Sequence, residues 1–224
     1  MAGSDFLVAA SNADAVAWLR RWPDWPTPVL LLHGPTGCGK SHLARAFGQG
    51  SGAARLAGDD LVGGDPLSVF EQAPAAVLDD ADLCVRASGG EPALLHLVNA
   101  AAQTQRKLLL TAHQPSARWP LALPDLASRL NAACTVGIDE PDEALMRAVM
   151  GKLFVDRQLR VGDDVLGYLL ARMERSLAAA GRLVEKIDAA ALARRQAVTI
   201  PLARAVLAEC DAMPSPPRAA SRAP

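Results

Sequence analysis

The stretch that decides the fold is Leu30–Phe47, LLLHGPTGCGKSHLARAF. An apolar run beginning at Val29 fits a buried strand. Gly34-Pro35-Thr36-Gly37-Cys38-Gly39-Lys40-Ser41 follows and fits the pattern G-x-x-x-x-G-K-[ST]. A helix pattern from about Lys40 to Gly48 closes the unit. Glycines let a backbone wrap until its N–H groups converge on phosphate oxygens, and the helix that follows adds its positive end. In that chemistry Lys40 reaches the β- and γ-phosphates and Ser41 ligates magnesium. A plain glycine turn before a helix has a similar composition, but here strand, loop and helix stand in the order that phosphate binding requires. Pro35, Thr36, Gly37, Cys38, Gly39, Lys40, Ser41 and His42 are the expected nucleotide contacts. Whether the nucleotide is fuel, substrate or conformational signal is a separate question.

Three further apolar runs lie downstream. AAVLDD (75–80) reads as a strand ending in two carboxylates. In a parallel sheet the ligand lies off the carboxyl ends of the strands, which brings Asp79 and Asp80 beside the loop. Asp79 is expected to hold magnesium through water, and Asp80 to orient an attacking water; the bland alternative is a solvated acidic turn. KLLLTAHQP (107–115) is the next strand, with Thr111 and His113 at its exit. They either probe a γ-phosphate or merely cap a turn and face solvent. CTVGI (134–138) is a further strand. Helix patterns at 91–105 and 123–130 separate these runs, and Ser11 or Asn12 is expected to cap a helix carrying Ala15, Val16, Trp18 and Leu19. Strands alternating with helices predict an α/β domain with a parallel sheet covered on both faces.

After Glu140 the texture becomes helical throughout, with helices expected at 142–157, 163–173, 177–196 and 199–210. The expected organisation is therefore a nucleotide-binding α/β domain over residues 1–140, a helical lid over 141–210 and a disordered tail over 211–224, rich in proline, serine and alanine. The 224 residues, half of them hydrophobic, suffice for one core and a small second domain. Lys and Arg total 23 against 24 acidic residues, which argues against a dedicated nucleic-acid arm or a polybasic membrane anchor. Cys38, Cys84, Cys134 and Cys210 lack zinc spacing and read as reduced thiols of a cytoplasmic protein. Cys38, near a helix N-terminus, reads as a loop position and not a nucleophile. No apolar run reaches membrane-spanning length.

Several segments together resemble the DnaA family of AAA+ ATPases: DFLVAASNADAVAWL, GPTGCGKSHLARAF, VLDDAD, LLLTAHQP and LPDLASRL. LPDLASRL and VTIPLARAVL are most similar to the Hda branch, the DnaA-homologous regulators. The resemblance covers about residues 5–210 and implies an AAA+ domain with a five-stranded parallel sheet and a helical lid. It implies that Phe6, Leu7 and Val8 lie near the adenine, and that ADP or ATP with Mg is the ligand. It implies that DnaA is the partner and that Arg129 acts as a trans arginine finger on DnaA-bound ATP, restraining re-initiation of replication. Spacing alone does not separate that role from an ordinary surface arginine. The sliding clamp is expected as a partner only where an N-terminal clamp peptide exists, and the start MAGSDFLVAA contains none. The chain stops before a helix-turn-helix, so no direct DNA-binding domain is expected, and nucleotide-linked self-association fits the family. His113 stands at the first sensor and Ala178 at the second-sensor arginine position, flanked by Arg175 and Arg182. These departures predict weak intrinsic ATPase and ADP as the stabilising ligand. The competing readings are an autonomous AAA+ ATPase that remodels or loads a partner such as a helicase, and a small-molecule kinase.

Overall fold

Five short segments pair side by side into one parallel sheet. They are β1 (Val29–His33), β2 (Ala54–Leu56), β3 (Ala75–Leu78), β4 (Lys107–Ala112) and β5 (Cys134–Gly137), in the spatial order β2-β3-β4-β1-β5. The helices of this part are α1 (Ala13–Arg20), α2 (Lys40–Ser51), α3 (Gly58–Leu61), α4 (Pro66–Gln72), α5 (Ala81–Cys84), α6 (Gly90–Gln103) and α7 (Pro124–Asn131). The computed structural model describes residues 7–212. The expectations for Phe6 and for the tail beyond residue 212 lie outside the described residues.

The apolar runs lack a polar alternation because helices cover both faces of the sheet. On one face Leu31, Leu78, Leu108 and Leu110 pack with Phe70 of α4, Leu94 and Leu97 of α6, and Leu126 and Leu130 of α7. On the other, Leu30, Leu32, Val77 and Leu109 pack with Val16 and Leu19 of α1 and Leu43 and Phe47 of α2. Each fully buried leucine contributes about 1.5–3 kcal/mol, so alternate residues of β1 tie the strand to opposite layers. Trp25 stacks on Phe47 at 5.3 Å and Trp22 meets it edge-on at 6.0 Å, which anchors the proline-rich approach to β1.

Three local features differ from the pattern reading. The edge strand β2 is only three half-buried or exposed residues, too short to show a period. Asp65 caps α4 by accepting from the Leu67 N–H at 3.0 Å, with Pro66 in the first turn, a start signal the hydrophobic reading passed over. Asn12 stands at the start of α1, but its side chain does not cap it. Its Oδ1 accepts the Ala9 N–H at 2.9 Å and its Nδ2 donates to Leu7 O at 3.0 Å, pinning the preceding segment instead.

The chain divides into two compact units at Leu145/Met146. The sequence boundary near residue 140 precedes α8 (Glu143–Asp156). The second unit continues with α9 (Asp163–Leu170), α10 (Leu177–Arg194) and α11 (Ile200–Ala212). Its core is a single cluster that includes Met146, Met150 and Phe154, one per turn of α8, with Leu169, Val184, Ile187, Leu202 and Val206. Ser176 caps α10 by accepting from the Ala179 N–H at 3.3 Å. Ala178, Arg175 and Arg182 are exposed on this unit. Among the described residues no helix is long and apolar enough to cross a membrane.

Candidate nucleotide-binding site

The loop between β1 and α2 has little freedom at its start. A Cβ on Gly34 would lie 2.2 Å from the Ile138 carbonyl oxygen, so only glycine passes the exit of β5. The Gly34 N–H donates to Ala112 O at 3.2 Å, which ties the loop to the end of β4. Gly39 enters α2 with φ 109°, a left-handed backbone that side chains disfavour. Lys40 is 5% exposed, and its Nζ donates to Gly34 O and Pro35 O at 2.8 Å each. The ammonium is thus held inside the loop's curve, 3.9 Å from Cys38 Sγ. Burial pushes the Cys38 thiol up, against the opposing pull of Lys40, so it stays a neutral thiol and not a nucleophilic thiolate. Pro35, Thr36, Ser41 and His42 are exposed, and Gly37 is half-buried.

Parallel register carries a second group of side chains to the same end of the sheet. Asp79 and Asp80 follow β3, Thr111 and His113 stand at the end of β4, and β4 pairs directly with β1. Thr111 is wholly buried. Its hydroxyl donates to an Asp79 carboxylate oxygen and accepts the Asp80 N–H at 3.0 Å. Thr111 is therefore a buried bridge between strand exits and not a turn cap. Asp80 sits at φ 51°, which aspartate tolerates better than most residues. Burial raises its carboxyl above the usual range and Asp79 adds to this, while His113 and Lys40 pull it down. His113 presents Nδ1 to both oxygens of Asp82, at 3.2 and 3.1 Å, with an Asp80 oxygen 3.9 Å away. It faces a buried carboxylate and does not simply point to solvent. His33, at the end of β1, is held below the ordinary histidine range by burial, then by Lys40 and Arg118, and is neutral at pH 7.

Arg129 is at the other end of the domain. With Thr27, Pro28, Val29, Ala132 and Ala133 it lines a pocket of about 190 Å³ at the amino end of β1. Val29, which lines this pocket, stands five residues before Gly34 at the start of the loop, roughly 16 Å of strand rise. That is longer than an arginine side chain, so Arg129 does not reach its own chain's loop. It is exposed, and its Nε donates to Asp125 at 3.1 Å, one turn earlier on α7. Leu7 and Val8 are exposed. The chain just after them is fixed to the exit of β5, where the Asp139 N–H donates to Ser11 O at 3.1 Å.

Comparison with known proteins finds related sequences and the same fold. The family described as Hda, lid domain, matches residues 145–207. The chromosomal replication initiator protein DnaA of Sphingopyxis alaskensis is 26% identical over 226 residues, covering 91% of this chain and 50% of that protein. Domain III of the Thermotoga maritima replication initiation protein DnaA superposes with a TM-score of 0.80 at 15% identity, covering 91% of this chain and 94% of that one. AMPPCP-bound DnaA from Aquifex aeolicus gives 0.68 at 17% identity, over 81% of this chain and 63% of that one.

The chain is DnaA-like in sequence over most of its length, Hda-like in its lid, and AAA+ in fold. It spans about half the length of the curated relative it matches. The parallel five-stranded sheet with flanking helices and a helical C-terminal unit is the architecture expected from the sequence. The structure brings together the loop, Asp79, Asp80, Thr111 and His113, and leaves Arg129 apart. Asp82, the last residue of VLDDAD, joins this group without being marked by the strand-end pattern. The available signal was an acid two residues past a strand-terminal pair, where one helical step turns it toward the neighbouring strand.

Proposed function

We propose that this protein binds ADP or ATP in its own loop and acts on the ATP bound to a DnaA partner, promoting its hydrolysis and so restraining re-initiation of replication. The observation that carries the reading is the position of Arg129. An exposed guanidinium at the amino end of the sheet, remote from its own loop, serves a phosphate only on another molecule. There it stabilises charge developing on the transferred phosphoryl group, the task of an arginine finger. The lid-family match and the fold shared with DnaA support DnaA as that molecule. Sliding clamp joins the assembly where a clamp peptide is present, and nucleotide-linked self-association remains part of the proposal.

In the chain's own site the loop N–H groups and Lys40 hold the phosphates. Leu7 and Val8 lie on the segment proposed to approach the adenine. Ser41 and Asp79 offer oxygen donors suited to Mg²⁺, and the buried hydroxyl of Thr111 fixes the Asp79 carboxylate. Magnesium there supplies charge neutralisation at the phosphates. Ala178 at the second-sensor position leaves the lid without the arginine that would tie it to a γ-phosphate, which supports a slow intrinsic ATPase with ADP as a stabilising ligand.

The test is Arg129→Ala. Nucleotide binding by this protein should be unchanged, while stimulation of DnaA-bound ATP hydrolysis falls by about 10³-fold or more, the usual worth of an arginine finger. Loss of ADP affinity in the same variant would remove the trans assignment. The second reading, an autonomous ATPase, draws on the intact Asp79–Asp80–Thr111 group. Steady turnover near 1 s⁻¹ or above without a partner, the lower range typical of working enzymes, would favour it.

A further inference from the structure

The pocket at the amino end of β1 has no part in the nucleotide contacts above. It holds about 190 Å³ and is walled by Val29, Val98, Ala102, Ala132 and Ala133, with Arg129 beside them. An apolar cavity of about 150 Å³ takes one benzene, so this one has room for a ring or a branched chain on a short arm. The polar groups of the wall are spent within the protein. The Thr27 hydroxyl donates to Val29 O at 2.7 Å and accepts the Cys134 N–H at 3.2 Å. The Ala132 N–H donates to Ser128 O at 3.1 Å and the Ala133 N–H to Leu130 O at 3.3 Å. Pro28 has no N–H, and its carbonyl accepts the Leu108 N–H at 2.8 Å. Water inside finds few partners there, and a hydrocarbon body displaces it favourably. Arg129 is the exception. Its Nε donates to Asp125, and among the described residues no hydrogen bond engages Nη1 or Nη2. A guanidinium presents more than one edge to carboxylates, so the edge formed by the two Nη groups is open to an anion. One guanidinium already shared with Asp125 matches a single negative charge.

We infer that this pocket binds a small apolar monocarboxylate, with its ring or branched chain inside and its carboxylate on Arg129, and that such a ligand is an effector because it withholds Arg129 from other molecules. The effector half rests on the reading of Arg129 as a trans finger; the binding half does not. The two parts of the ligand need each other. A carboxylate alone meets an exposed guanidinium, where an ion pair contributes little. A hydrocarbon body seated in the pocket holds the carboxylate against the Nη edge, so that the pair forms within one bound molecule. With Nε on Asp125 and the Nη edge on the ligand, the guanidinium no longer serves phosphoryl oxygens elsewhere. The reach of the protein toward its partner then falls as the carboxylate rises, while its own nucleotide loop, at the other end of the strand, is untouched.

The experiment has two arms, both on the full chain, with phenylacetate as the probe. Methyl NMR should show Val29, Val98, Ala102 and Ala133 shifting saturably, with a Kd on the order of 1 mM, the scale for about ten non-hydrogen atoms. Saturating ADP should leave that Kd within about twofold, as for distant independent sites. Phenylacetamide, of the same shape without the charge, should bind about tenfold more weakly, and so should phenylacetate to Arg129→Gln. Acetate, the head alone, should give no saturable shift. Ala102→Phe, which sets a ring into the pocket, should abolish phenylacetate binding. Equal binding of phenylacetate and its amide, undiminished binding to Ala102→Phe, or wild-type shifts that never saturate would each overturn the site; the first and last need no variant to fold. In the second arm, phenylacetate at about ten times its Kd should lower stimulation of DnaA-bound ATP hydrolysis about tenfold by mass action, and phenylacetamide at the same concentration should not. Binding in the pocket with undiminished stimulation would overturn the effector role. If Arg129→Ala stimulates DnaA as well as the wild type does, the finger reading fails instead, and the methyl shifts still decide the site.

Discussion

Thr111 offers the sharpest test of how the site is built, because one hydroxyl joins two strand exits. Thr111→Val keeps the shape and removes only that oxygen. The Asp79 carboxylate then loses a hydrogen bond to a charged acceptor, about 1.5–3 kcal/mol. The Asp80 N–H loses its acceptor, about 0.5–1.5 kcal/mol where water partly replaces it. The expected loss is about 2–4.5 kcal/mol. Thr111→Ser keeps the hydroxyl and removes one buried methyl, about 1 kcal/mol. For a protein of this size each kcal/mol moves Tm by about 2–4 °C. Thermal unfolding without nucleotide should therefore show Thr111→Val lower by roughly 5–15 °C and Thr111→Ser by only about 2–4 °C. Urea unfolding should give the same ranking. If valine costs no more than serine, packing and not the hydroxyl holds Asp79 and Asp80, and the bridge drawn from its two hydrogen bonds is refuted.

Two other outcomes follow from the same cluster. Wild-type protein with ADP at 100 times its Kd should gain about 2.7 kcal/mol of apparent stability, and Lys40→Ala should gain none; an undiminished shift would remove the loop from the binding site. For Asp80, the folded state holds the carboxyl proton more tightly than the unfolded state, because burial and Asp79 raise its pKa. Stability from this group is full below the unfolded value near 3.8 and declines as pH rises toward the folded value. Asp80→Asn should consequently raise Tm at pH 7 and lose that advantage on acidification through about pH 4. Asparagine also tolerates the left-handed backbone at φ 51°, so no strain offsets the gain. A lower Tm at pH 7 would show that Asp80 is stabilised as a carboxylate.

Some of this protein is legible from local chemistry alone. GPTGCGKS encodes its own geometry, since the glycines permit the turn and the strand and helix periods flank it. The runs at β1, β3, β4 and β5 announce buried strands because every residue faces one of two covered layers. The helical texture after residue 140 is equally local, with one apolar residue per turn of α8 converging on a single cluster. β2 was silent because three half-exposed edge residues carry no period, and the capped start of α4 lies outside any hydrophobic signal.

What the sequence by itself determined was therefore the nature of the elements and the identity of the loop, because those depend on neighbours a few residues apart. What only the tertiary structure decided was which polar residues meet. Pairing β3 with β4, and β4 with β1, brings Asp79, Asp80, Asp82, Thr111 and His113 to one end of the sheet from positions some thirty residues apart. The same parallel order sends Arg129 to the opposite end. Both placements come from strand register and from the direction in which each strand runs. Spacing along the chain does not encode them, because the separation of two strand ends in space is set by the hydrogen-bonded ladder and not by the length of chain between them.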